Sequence, residues 1–307
     1  MTMIVVAAAC GGRQPSIAGV QRPEPDAEAE AVSLLGTALQ RPRLSAEDRA
    51  KRERALEQAI ADHAKAPSAT TAIWVGRRLG YLHRYREAVA ELTRAIAKYD
   101  DARLLRFRGH RYITLRKLEL AVTDLERAAQ MRAGLADEIE PDGAPNPAGI
   151  PTSTLHTNIW YHLGLAHYLR RDFVAAARAY RECLRASSND DMRVAAGYWL
   201  YLTLRRLDDT GAAERLLREQ LPTNPTLLES HAYHALLQLF RGELAPEAVT
   251  RSADLDRTTI AYGVAIWYLL RGEHARADQH LREAMRADQW PAFGSIAAEA
   301  ELAARAN

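Results

Sequence analysis

Two cysteines in 307 residues, Cys10 and Cys183, leave no disulfide framework to build on, since one follows an apolar N-terminal run and the other sits among helix-forming residues. Glycine and proline are sparse outside a few clusters, and the β-branched runs that make buried strands are missing. Neither sign of charge prevails: 41 Lys and Arg against 39 Asp and Glu give +2, so the global excess that marks a nucleic-acid binder is excluded. An electrostatic partner has to be sought in local patches. The chain also lacks a Gly-rich phosphate loop, a nucleophile elbow and a Cys–His pair. His231 and His234 are three apart, His162 and His167 five apart, and no carboxylate completes a His-Glu-x-x-His site. Neither an enzyme nor a metal or other cofactor is expected.

What is present is Ala, Leu, Arg and Glu in quantity, which reads as an all-α chain. Small residues recur where the second helix of a helical hairpin would approach the first too closely for a large side chain: Ala55, Ala88, Ala121, Ala176, Ala213, Ala248 and Ala277. The first two spacings are 33 residues, the third is 55, one unit plus an insertion, and the rest are 37, 35 and 29. The insertion, residues 133–153, carries four acids and four prolines and is expected to be a long loop. One unit is especially complete. Trp160, Leu163, Gly164, Phe173, Ala176 and Tyr180 combine close-contact positions with large fillers, and Cys183 falls where a small buried hydrophobe belongs. This pattern resembles the tetratricopeptide repeat. The resemblance implies a right-handed α-solenoid of about six to seven hairpins over residues 26–307, with a terminal helix at Ser295–Arg305 covering the last apolar face. Asp26–Gln40 and Ser45–Ala64 are expected to form a degenerate first hairpin, Ser45 and Asp48 supplying a capping pair.

Residues 1–25 read as an address. Met-Thr-Met-Ile-Val-Val-Ala-Ala-Ala leads into Cys10-Gly11-Gly12 and then a polar, Pro-rich stretch. This order is similar to a bacterial lipoprotein signal, which implies lipidation of Cys10 and a flexible tether, although no basic residue precedes the apolar run and the run is short. A start further upstream would account for both departures. The run is too short to span a bilayer, which takes ~20 apolar residues. The alternative is a free thiol in an ordinary polar N-terminus.

Trp199-Leu-Tyr-Leu, then Phe240-Arg-Gly242-Glu, then Tyr262 to Met285 follow in an order that resembles the NlpI-type bacterial tetratricopeptide lipoproteins. That likeness spans roughly residues 155–305 with Cys10. It implies a lipid-anchored adaptor in the bacterial envelope, with protein partners and a possible homodimer. A soluble cytoplasmic regulatory or co-chaperone-like module is the competing expectation.

In such a stack the first helix of each hairpin faces a concave groove. The register puts Arg77, Arg103, Arg106 and His110 at its N-terminal end, and Asn158, Tyr161, Leu165 and Tyr168 in the middle. Tyr198, Leu202, Arg205, Tyr262 and Ile266 fall at its C-terminal end. A peptide carrying acidic residues and then an apolar anchor suits that order, because Arg pairs carboxylates and Tyr offers rigid contact area. The arginines could instead be a solvated face balanced by Glu119, Asp124 and Glu126. The chain's own Asp137, Glu138, Glu140 and Asp142 are candidate internal competitors for the basic end.

Overall fold

A computed structural model describes residues 29–251, 256–286 and 288–306; Cys10 and the rest of the expected signal and tether lie outside them. The described residues start with a two-stranded ribbon, β1 (Ala31–Val32) and β2 (Ala38–Leu39), followed by α1 (Ala46–Lys65). Six helical hairpins come next, α2 (Ala69–Tyr81) with α3 (Tyr85–Ile96), α4 (Ala102–Thr114) with α5 (Leu118–Arg132), and α6 (Leu155–Leu169) with α7 (Phe173–Ala186). The fourth pairs α8 (Asp190–Arg206) with α9 (Thr210–Arg215), which runs on through a π turn at Leu216–Gln220. The last two are α10 (His231–Arg241) with α11 (Pro246–Arg251) and α12 (Arg257–Leu269) with α13 (His274–Ala284), before α14 (Phe293–Ala306) closes the chain.

One backbone device makes all six hairpins. After each first helix a residue adopts left-handed φ: His83, Arg116, Arg171, Asp208, Gly242 and Gly272. The next N–H then reaches back across the last turn, from Arg84 to Leu79 O, Lys117 to Tyr112 O, Asp172 to His167 O, Asp209 to Leu204 O, Glu243 to Gln238 O and Glu273 to Tyr268 O, each at 2.9–3.0 Å. This is a Schellman-type cap, which satisfies orphan carbonyls and turns the chain back. Packing inside the hairpins repeats as well. A Cβ added to Gly76, Gly109 or Gly164 would stand 2.9, 2.7 or 2.8 Å from Leu92, Leu125 or Tyr180, at one constant sequence offset, so the bare glycine is what lets the two helices touch. Ala88, Ala121, Ala176, Ala213 and Ala277 are fully buried as their spacing requires. In the fifth hairpin Val249 takes that place beside a half-exposed Ala248. Cys183 is buried, its thiol held protonated by desolvation and directed at Thr157 O. The architecture is an all-α solenoid.

The expected first hairpin is corrected. Residues 31–39 form the ribbon, because the Ser33 hydroxyl accepts from the N–H groups of Leu35 and Thr37 and turns the chain before a helix can propagate. Tertiary contacts then fix it. Ala31 packs with Tyr85, Leu115 and Trp290, and the Glu30 carboxylate accepts from Arg86 N at 2.7 Å at the start of α3. Helix α1 keeps the expected cap, with Ser45 Oγ accepting from Asp48 N, but among the described residues no helix precedes it, and it packs on α2.

The ends of the described chain meet. Trp290 Nε1 donates to Gln40 O at 2.7 Å, and Leu34 N donates to Glu299 Oε2 at 3.0 Å. Arg116, in the second hairpin's turn, is held by both Glu299 oxygens, by Trp290 O and by Thr114 O. Among the described residues no helix is long and apolar enough to cross a membrane.

Candidate functional site

Where α2 and α4 lie side by side beneath the insertion, a recess of about 130 Å³ is lined by Gly76, Arg77, Tyr81, Phe107, Arg106, His110, Arg111 and Glu140, among others. Three guanidinium groups meet there one carboxylate. The acids that might have balanced them are engaged elsewhere: Asp124 holds Arg108 through two 2.7 Å bonds, Glu119 faces Arg170, and Glu126 faces His167. Among the described residues, the carboxylate that lines the recess is Glu140 of the insertion.

Each arginine is positioned by its helix. Arg77 stacks between Trp74 and Phe107, 4.5 and 5.0 Å from the ring centres, and donates to Pro141 O at 2.5 Å. Stacked guanidinium planes keep their in-plane N–H groups free to donate. Arg106 is buried, pairs with Glu140 at 2.9 Å, and is lowered to about 10 because desolvation outweighs that carboxylate. It remains charged at neutral pH. Its Nε and Glu140 Oε2 are both buried without a hydrogen-bond partner, so the pair uses one prong of a fork that could grip two oxygens. Arg111 reaches in because Gly80 has no side chain; a Cβ there would stand 3.0 Å from its Nη1.

Behind the arginines, the His110 and His162 rings lie 4.3 Å apart, tilted by 39°, beside Phe293. Burial holds both imidazoles well below their ordinary range, with Arg111 adding to the effect at His110 and Arg106 at His162. The unfolded chain therefore binds more protons than the native one below pH ~6.5, and stability falls with pH by about 1.4 kcal/mol per pH unit for each histidine. His83, His167 and His234 lean the same way; Glu140, raised by burial, opposes this at the acid end. Denaturant midpoints taken from pH 7.5 to 5.5 should drop steadily, less so in His162→Asn, and a flat profile would contradict neutral buried imidazoles.

The structure thus brings Arg77, Arg106 and His110 together. Arg103 stands apart, bound to Asp101 at the helix cap. Arg111, Tyr81 and Glu140 complete the recess. The signal for Arg111 was Gly80, a gap on the facing helix that spacing arguments within α4 do not reveal.

The aromatic half of the expected groove needs correction. Asn158, Tyr161, Leu165, Tyr168, Tyr198, Leu202, Tyr262 and Ile266 are buried, and Arg205 lies half-exposed against Tyr201. The first helices approach so closely that their tyrosines bond across the inner face. Tyr161 Oη meets Tyr233 Oη at 3.0 Å and Trp199 Nε1 at 2.9 Å, and Tyr168 Oη meets Tyr262 Oη at 2.7 Å. Helix α14 adds Phe293, Ile296 and Ala297 to the same core. This surface is interior.

Six hairpins with one turn geometry, the first three sharing one glycine lock, define a helical-hairpin repeat protein. The 33 residues from the turn at His83 to that at Arg116 match the length of a tetratricopeptide unit. No protein-family model matches the chain, and no curated protein matches it. Solved structures similar to it include a tetratricopeptide repeat protein from Parabacteroides merdae, at 14% identity and a TM-score of 0.48, covering 78% of this chain and 87% of that one. The APC/C hetero-tetramer Cut9–Hcn1 gives 16% and 0.47 over 83% of this chain and 40% of that one. Naa15/Naa10 bound to HypK-THB gives 18% and 0.37 over 78% and 34%, so this chain spans less than half the length of the latter two.

Proposed function

We propose that the protein is a non-enzymatic interaction scaffold that captures acidic protein segments in the recess between α2 and α4. The observation that supports this most is the unbalanced charge: Arg77, Arg106 and Arg111 converge on a concave site with Glu140 as their one carboxylate. Buried guanidinium is costly unless paired, and Arg recognises carboxylates through paired, directional bonds. The recess therefore favours an anionic side chain over a neutral one. Fluorescence anisotropy with a 12-residue peptide rich in Glu and Asp, against its Gln and Asn counterpart, tests this. Binding of the acidic peptide alone, weakened at least tenfold by Arg77→Glu at unchanged helicity, is the expected result. Equal binding of both peptides, or insensitivity to Arg77→Glu, would overturn it.

The scaffold is further proposed to be tethered to a bacterial envelope membrane through Cys10. That part rests on Ala-Ala-Ala-Cys10-Gly-Gly and the Pro-rich stretch after it. Cys10→Ala should move the protein from the membrane to the soluble fraction, and an unchanged distribution would remove the anchor from the scheme.

A further inference from the structure

The insertion that closes the recess is an imperfect occupant of it. Glu140 reaches Arg106 through one oxygen and leaves the other, and Arg106 Nε, without a partner. Pro141 offers its carbonyl to Arg77. Gly143 passes so close beneath Tyr81 that a Cβ would stand 2.2 Å from the phenol oxygen and 2.9 Å from Arg77 Nη2. Three features of one short segment, an acid, the next carbonyl and a glycine three residues after the acid, meet three separate features of the recess.

Past the Ile139–Thr154 bridge, where Leu155 N donates to Glu138 O at 2.9 Å, little else holds the segment. Glu140 N donates to Ser153 O at a long 3.4 Å, and Pro141 and Pro145 have no N–H to give. Ile139, the natural apolar anchor beside Glu140, is 66% exposed. The far side of the insertion is pinned independently, by Asn146 and Thr152 on Glu229 and by Asn189 on Thr152 O. Residues 139–143 can leave the recess without undoing those ties.

We infer that Glu140-Pro141-Asp142-Gly143 is a tethered pseudo-ligand, and that the recess takes from its partner an acidic segment of the form Glu-x-x-Gly in exchange for it. This rests on the reading of the recess as an acidic-segment site and adds the sequence it selects. The tethered copy lowers the apparent affinity for an external one by the fraction of time that the recess stands open.

The test uses the full chain and a fluorescent synthetic peptide of residues 136–147. Glu140→Gln, and separately a Gly/Ser replacement of residues 139–143, should each bind the peptide about tenfold tighter than wild type if the insertion occupies the recess nine-tenths of the time. A peptide with valine in place of the glycine should lose that binding. Equal affinities for wild type and both variants would overturn the tethered competitor, and equal binding of the valine peptide would overturn the glycine selection. Either result leaves the acidic-segment reading intact if the Glu/Asp-rich peptide still binds through Arg77. Loss of binding by every acidic peptide in every variant would overturn both.

Discussion

Glu299→Ala should cost about 3–5 kcal/mol of stability, and lower the melting temperature by on the order of 10 °C. The carboxylate is buried and accepts from Arg116 and Leu34 N, so its loss strands a guanidinium that is itself buried and leaves a backbone donor unmet. The penalty is mostly that of a buried charge deprived of its carboxylate and not the net worth of the pair. Replacing both partners, as in Arg116→Met with Glu299→Leu, should therefore recover much of the loss. Guanidinium denaturation of the three proteins measures this. A single-variant loss under about 1 kcal/mol would mean that water reaches Arg116 and that the ends are not sealed. Proteolysis between residues 29 and 41 should also accelerate in Glu299→Ala, since the ribbon loses its tie to α14.

The consequence for the solenoid is architectural. In an open repeat array each unit touches only its neighbours and stability sums along the stack. Here Arg116 and Glu299 pair across 183 residues, and Trp290 packs with Tyr85 and Leu115 of the first two hairpins. Closure removes the groove at the C-terminal half and leaves the recess under α2 and α4 as the concave basic site.

The repeats were legible because each relies on a local rule that a single chain displays. A glycine or alanine at a fixed offset admits a neighbouring helix, and Gly76, Gly109, Gly164, Ala88 and Ala121 obey that rule in the structure. The basic pair Arg77 and Arg106 was legible for the same reason, as was the loop that supplies Glu140. What was not legible depends on contacts remote in sequence. Residues 31–39 carry enough Ala and Leu for a helix; the Ser33 turn stops it, and the remote Tyr85, Leu115 and Trp290 hold the ribbon that results. The tyrosines of the first helices occupy positions that face a groove in an open stack. Only the tightness of the superhelix, a sum of small rotations, decides whether they meet solvent or each other.

Trp199→Ala tests that last distinction and should cost about 4–5 kcal/mol, at the upper end for a buried indole. Trp199 is 1% exposed, stacks on Tyr262 at 5.8 Å, meets Tyr168 edge-on at 5.2 Å and donates to Tyr161 Oη. The one ring thus joins α6, α8 and α12, so its removal opens a cavity that three helices would have to collapse to fill. Trp199→Phe keeps an aromatic ring in place but loses the donor and some of the packing, and should cost about 1–2 kcal/mol. Peptide binding at the recess separates core from groove. If the tyrosine cluster is interior, Trp199→Phe lowers the denaturation midpoint and leaves affinity for the acidic peptide unchanged. If the cluster is a binding face, the same substitution leaves the midpoint where it was and weakens the peptide, because a solvent-facing donor contributes to stability only what water already offers it.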